Sequence, residues 1–269
     1  MAEKLLVNKP KELVEATPEE IAKIEAAIPA KEKEELPVSG ATRREERAAL
    51  EEEKQKQALA AWVPKTELGK LVKSGKIKDI DEILSKHKKI VEAEIVDSLL
   101  HVGSDLLSIG QSKGKFGGGK RRAWRQTQKK TMEGNVTSFS CMAVIGDRNG
   151  HVGVGMGKAK ETLPSRAKAI RDAKLNLIKV TRGFETKEEP GAKPHTVPFV
   201  VEGKCGSVRL KLLPAPRGTG LVIGDECKKI LRLAGIEDVY SMTKGQTRTV
   251  FNFATACIDA LKKIDRMKQ

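Results

Sequence analysis

The segment GHVGVGMGKAKE, Gly150 to Glu161, sets Gly153, Gly155 and Gly157 at alternate positions and closes on Lys158 and Lys160. Bare backbone beside positive charge is what a phosphate cradle requires. A dinucleotide fingerprint needs G-x-G-x-x-G/A after a strand. Counted from Gly153 its sixth position is Lys158, and counted from Gly155 it is Lys160, so both fail. The Walker loop G-x-x-x-x-G-K-[ST] fails as well, with Val152 in its first place and Ala159 where the Mg²⁺-binding hydroxyl belongs. Gly114 to Lys120 comes nearer, but Arg121 replaces the Ser/Thr. PRGTGL, 216–221, has a faint likeness to the phosphate loop of small-molecule kinases without its run of serines.

No catalytic constellation replaces these loops. His87, His101, His151 and His195 have no metal-ligand spacing, and no G-x-S-x-G elbow occurs. Cys141, Cys205, Cys227 and Cys257 include no C-x-x-C pair, which fits a reduced intracellular protein without a zinc site. The expectation is a protein that is not an enzyme and carries no cofactor and no metal.

The three glycines then need another reason. Alternation puts them on one side of a strand, and a strand with one bare face admits another backbone closely. That backbone is either protein or a sugar-phosphate chain. Lys158 and Lys160, at the junction with a following helix whose first amides favour anions, favour the second.

The elements that must hold these residues follow from charge and periodicity. The net charge of +15 points to a polyanionic partner, nucleic acid before membrane. Residues 1–60 carry 11 Lys and Arg against 14 Asp and Glu, leaving 40 basic against 22 acidic residues downstream. At 3% aromatic residues, base stacking is a poor route to binding, so phosphate contacts and shape should dominate. No run approaches the 18 or so apolar residues of a membrane span, no signal peptide opens the chain, and a cytoplasmic setting is the default.

Residues 1–61 read as a charged, helical or partly disordered extension, with Thr17, Pro18 and Glu20 forming a helix start ahead of Ile21, Ile24 and Ile28. A helical lead-in, 62–110, uses Ile80, Ile83 and Leu84, then Ile95, Leu99 and Leu100, as buried positions. From Gln111 to Lys130 the chain carries Lys113, Lys115, Lys120, Arg121, Arg122, Arg125, Lys129 and Lys130 and no acidic residue. This stretch should begin as a loop and end as a strand. Val136–Ile145, an Asn149-Gly150 turn and His151–Met156 form a hairpin. A helix follows, with Leu163, Ala167, Ile170, Ala173 and Leu177 on its inner face and Lys168, Arg171, Asp172 and Lys179 roughly opposite. A first α+β domain thus spans 111–183 and a Pro/Gly linker 184–195. A second α+β domain, 196–269, holds a hairpin around Gly203-Gly206, a glycine turn, a helix, a strand and a last helix. That last helix sets Phe251, Ala254, Ile258, Leu261 and Ile264 inward.

At these residues a resemblance emerges. GDRNGHVGVGMGKAKETLPSRAKAIRDAKLNLIKVTRG resembles the core of the universal small-subunit ribosomal protein S-five family, called S-two in eukaryotes. PHTVPFVVEGKCGSVRLKLLPAPRGTGL and LAGIEDVYSMTKGQTRTVFNFATACIDALKKI are similar to that family's second domain, and WVPKTELGKLVKSGKIKDIDEIL to the lead-in of archaeal and eukaryotic members. The likeness covers about 62–269. It implies a double-stranded-RNA-binding-like domain followed by a βαβ-type ribosomal domain with a left-handed crossover. The implied function is that of a structural constituent of the small ribosomal subunit, located in the ribosome, binding small-subunit rRNA. It would line the mRNA entry side with S-three and S-four neighbours, contact an S-eight neighbour and support decoding accuracy. By position, Lys120–Lys130 match the family's first strand and rRNA-facing loop. Gly153, Gly155, Gly157 and Lys158 match its glycine strand, and Arg217, Gly218, Thr219 and Gly220 its second-domain turn. The expected RNA-binding set is Lys113, Lys115, Lys120, Arg121, Arg122, Arg125, Lys129, Lys130, Gly153, Gly155, Gly157, Lys158, Lys160 and Arg217. Where many relatives carry a cysteine-containing stretch, this chain has GFETKEEPGAK. The readings weighed against this one are a nucleotide-dependent small-molecule kinase or NTPase using the Gly-Lys loops, and a non-ribosomal double-stranded-RNA-binding adaptor.

Overall fold

The computed structural model describes residues 57, 59–86, 88–111, 121–184 and 193–266, of which those from 61 onward belong to one compact unit. The helix start at Thr17–Glu20 and most of the rest of the extension, with Lys113, Lys115 and Lys120, lie outside the described residues; residues 57 and 59–61 are helical. The described part is α+β: two sheets with helices packed on them.

Three short helices lead in: α1 (Glu67–Lys73), α2 (Ile80–Ser85) and α3 (Ala93–Leu99). Thr66 caps α1 by accepting a bond from the Gly69 amide at 3.1 Å. Glu92 organises the segment, since its carboxylate accepts from Trp62 Nε1 (2.9 Å) and from the amides of Lys65 (2.9 Å) and Thr66 (2.6 Å). Burial alone would raise the pKa of Glu92, but these bonds hold it below the ordinary value. Ile80, Ile83 and Ile95 are buried as expected, whereas Leu84, Leu99 and Leu100 are only partly covered.

The first sheet is antiparallel and is built around one long strand. Its strands are β1 (Gly103–Leu106), β2 (Trp124–Thr131), β3 (Gly134–Gly146), β4 (His151–Ala159) and β5 (Leu177–Lys179). One edge of β3 pairs first with β2, through residues 134–141, and then with β1, through 143–146. The lead-in therefore supplies a strand to a sheet expected to begin at 111. The β3–β4 turn is longer than a two-residue Asn-Gly connection. Asp147 Oδ1 accepts from the amides of Asn149 (2.7 Å) and His151 (3.1 Å), and both Arg148 (φ 61°) and Gly150 (φ 111°) take positive φ.

Helix α4 (Thr162–Leu175) covers one face of this sheet. Its buried residues are Ser165, Ala169 and Ala173, one stripe at four-residue spacing. This differs from the expected inner face: Leu163 is 71% exposed, Ala167 is also exposed, and Leu177 has already entered β5. Small residues replace large ones because the strand below is glycine and the helix backbone comes down onto it.

The second sheet runs β6 (Val201–Cys205), β7 (Val208–Leu213), β9 (Val239–Lys244), β8 (Leu221–Val222), with β8 and β9 parallel. Helix α5 (Asp225–Ala234) joins those two strands, giving a βαβ unit, and ends on Gly235 in the left-handed conformation, φ 78°. Helix α6 (Val250–Arg266) lies on the second sheet. Ala254, Ile258, Leu261 and Ile264 are buried in it, with Phe253 rather than Phe251 fully inward.

Strand β3 is shared between two cores. Cys141, Ala143 and Ile145 face α4 and the lead-in, while Met142 and Val144 join the cluster of α5, α6 and the second sheet.

Candidate nucleic-acid interface

Beyond the cover of α4 and β4, the β2–β3 hairpin runs on as a two-stranded ribbon. Residues 125–130 are all exposed, and the tip carries a wholly exposed Met132. Register assigns its faces, because directly opposed residues of an antiparallel pair point the same way. Arg125 opposes Ser140 on β3, and Ser140 opposes Lys158 on β4. Arg125 and Lys158 therefore stand on one face, two strand spacings apart, about 9.6 Å. Thr127 and Lys129 continue that face up the ribbon, and Thr127 Oγ1 and Ser138 Oγ share a hydrogen bond of 2.8 Å across it. Lys130 points to the other face, with Gln126 and Gln128.

None of Arg125, Lys129, Lys130, Lys158 or Lys160 is ion-paired among the described residues. By contrast, Lys174 pairs with Asp97 (2.7 Å) and Lys179 with Asp81 (2.7 Å). These ion pairs dock the lead-in, whereas the ribbon cations have no ion-pair partner among the described residues. Arg121 and Arg122 sit on the β1–β2 connection, both exposed; the Arg122 carbonyl accepts from the Gly110 amide at 2.8 Å. Arg217, exposed on the second-sheet turn, donates Nη2 to the Lys193 carbonyl at 3.4 Å and does not share the ribbon face.

The glycines need a correction. Gly153, Gly155 and Gly157 are buried beneath α4, not open to a nucleic acid. A Cβ at Gly157 would overlap the Ser165 carbonyl oxygen and lie 2.5 Å from the Ala169 nitrogen, and one at Gly153 would overlap the Ala173 carbonyl. Ser165 Oγ donates to the Gly157 carbonyl at 2.9 Å, sealing the contact. The backbone that lies against this strand is the chain's own helix.

His151 is the best-connected of the described histidines. Its Nδ1 lies 2.6 Å from Asp147 Oδ2 and its Nε2 2.8 Å from Asp81 Oδ1, while Lys179 Nζ reaches Asp81 Oδ2 at 2.7 Å. Burial would raise both aspartates; bonds from Lys179 and His151 at Asp81, and from His151 and two amides at Asp147, hold each below the ordinary value. This relay fastens α2 to the first sheet. Among the described residues no group of three His, Cys, Asp or Glu could hold a metal ion, and no helix is long and apolar enough to cross a membrane.

Sequence reasoning missed Arg248. It precedes α6, yet with Arg121 and Arg125 it lines a cleft between the two sheets. Its only local signal is a basic residue in the polar run KGQTRT just ahead of an amphipathic helix.

Comparison with known proteins matches residues 123–181 to the family model "Ribosomal protein S5, N-terminal domain" and residues 203–269 to "Ribosomal protein S5, C-terminal domain". The chain is 50% identical over 211 residues to the small ribosomal subunit protein uS5 of Nanoarchaeum equitans, covering 78% of this chain and 90% of that one. It is 48% identical to that of Hyperthermus butylicus over 202 residues, covering 75% and 89%. For Methanococcus maripaludis the figures are 43% over 222 residues, covering 82% and 90%.

Proposed function

Because the chain belongs to the family of the small ribosomal subunit protein uS5, we propose that it is a non-catalytic structural constituent of the small ribosomal subunit. In that role it binds the subunit's rRNA and works in translation. The observation that carries this reading is the ribbon: a projecting hairpin whose Arg125 and Lys129, together with Lys158 across β3, present on one face cations that have no ion-pair partner among the described residues. Phosphates of a folded RNA are the natural complement of such a face, since side-chain cations displace the RNA's condensed counterions.

Lys160, Arg121 and Arg122 extend the contact around the ribbon base, Lys130 adds a cation near the tip on the other face, and Lys113, Lys115 and Lys120 belong to the same basic stretch of sequence. Arg217 reaches a separate segment of RNA or a neighbour from the second sheet. The first sheet with α4 is read as a double-stranded-RNA-binding-like fold, and the β8–α5–β9 unit as a left-handed crossover. The neighbours in this reading are proteins of the S-three, S-four and S-eight families at the mRNA entry side, with an effect on decoding accuracy. The glycines have no part in the RNA contact.

Sedimentation tests it. The tagged protein should travel with small subunits through a high-salt gradient. If it stays at the top, or saturably binds ATP in pure form, the ribosomal reading is wrong.

A further inference from the structure

We propose that the cleft lined by Ile109, Gly110, Gln111 and Arg121 on one side and by the start of α6 on the other seats one phosphodiester group of the bound RNA, with Arg248 as its clamp from the second half of the chain. The proposal rests on the RNA-binding reading above and adds a site to it. Three arginines from separate segments line a cavity of about 390 Å³: Arg121 just ahead of β2, Arg125 on β2 and Arg248 ahead of α6. Among the described residues no carboxylate lines it and none of the three arginines is ion-paired. Arg121 Nη1 donates to the Arg248 carbonyl at 3.5 Å, which ties the two segments together.

Like charges gathered in this way repel one another, and an anion between them reverses the sign of the interaction. Guanidinium is suited to that anion because its planar fork meets two phosphate oxygens at once. Ile109 and Val250, both buried, form an apolar floor that weakens solvent screening. An adjoining cavity shares Arg121 and Arg248 but also carries Asp225 and Glu226. Both of those carboxylates are engaged, Glu226 Oε2 with the Ser108 amide (2.7 Å) and Asp225 with Lys228 (3.1 Å). Lys229 also lines that cavity but is held by Asp105 and the Leu106 carbonyl, so the two carboxylates make that side the less favourable one and the anion sits on the Arg125 side. That side continues into the ribbon face of Lys129 and Lys158, so one strand of RNA can cross the ribbon and end in the cleft.

The test uses the full chain and small-subunit rRNA, with affinity measured over a series of salt concentrations and phosphate ethylation interference read on the same complexes. For Arg248→Gln the log–log salt slope should fall by about 0.7–0.9, one phosphate's share, and affinity by about tenfold. One or two phosphates whose ethylation weakens the wild type should cease to matter. Arg248→Lys should recover the slope while leaving affinity short of wild type, because the fork is gone. An Arg248→Gln protein with unchanged slope and affinity, beside a Lys129→Gln protein that loses both, overturns the clamp and leaves the ribbon reading intact. A uniformly weakened ethylation pattern also overturns it. A flat salt response of the wild type overturns both readings.

Discussion

Gly155 lies directly against the backbone of Ala173: a methyl group on its α-carbon would overlap the Ala173 nitrogen and stand 2.5 Å from the Ala169 carbonyl oxygen. Neither partner is a side chain that can swing aside, so α4 must lift for any other residue to fit.

Gly155→Val should therefore destabilise the fold at the upper end of overpacking effects, about 3 kcal/mol. For a chain of this size that lowers the melting temperature by about 10 °C. Differential scanning calorimetry measures it. A variant that melts like wild type yet loses RNA would restore the nucleic-acid role of the glycine face.

Ribbon substitutions should behave in the opposite way. Lys129→Gln and Arg125→Gln remove exposed charges that hold nothing else, so melting should stay within about 0.5 kcal/mol of wild type. Each should reduce the salt slope of rRNA binding by about 0.7–0.9, a rule calibrated on simple nucleic acids. Filter binding at several salt concentrations checks this, and a loss of affinity with unchanged slope would contradict it.

Glu92→Ala should loosen the lead-in. It strands three donors, the Trp62 indole and two backbone amides, at a cost of about 2–4 kcal/mol. Tryptophan fluorescence should shift to the red as Trp62 gains water, whereas Glu92→Gln, which keeps one acceptor oxygen, should fall between.

Asp81 and Asp147 give the fold an acid limit. Both are depressed below the ordinary value of 3.8, so their contribution is complete above that value and is lost as pH falls through the lower folded-state values. The melting temperature should drop across that window, and Asp147→Asn should flatten the drop. An unchanged acid profile in the variant would mean that the His151 relay does not couple to folding.

Strand and helix periods make most elements readable in the amino-acid order alone: the β3–β4 hairpin, α5 with its glycine stop, and the inner stripe of α6. What escapes them depends on partners distant in sequence. On α4, apolar periodicity favours Leu163 and Leu177, while the fit to a glycine strand selects Ser165, Ala169 and Ala173. The bare face itself is visible in Gly153, Gly155 and Gly157, but alternation says only that some backbone lies there and not which. The ribbon cations are legible as part of a basic stretch without an acidic residue. Arg248 is not, since it comes to share a cleft with Arg125 only through the packing of two sheets.

Strand β3 has one further consequence. Its odd-numbered side chains belong to one core and its even-numbered ones to the other, so neither half owns a complete interior. Cutting the chain between β5 and β6 would leave Met142, Val144 and Val152 facing water on one fragment, and α5 without its far wall on the other. The described unit should therefore melt in a single transition despite its two sheets, and a mechanical load on either sheet would be borne by both.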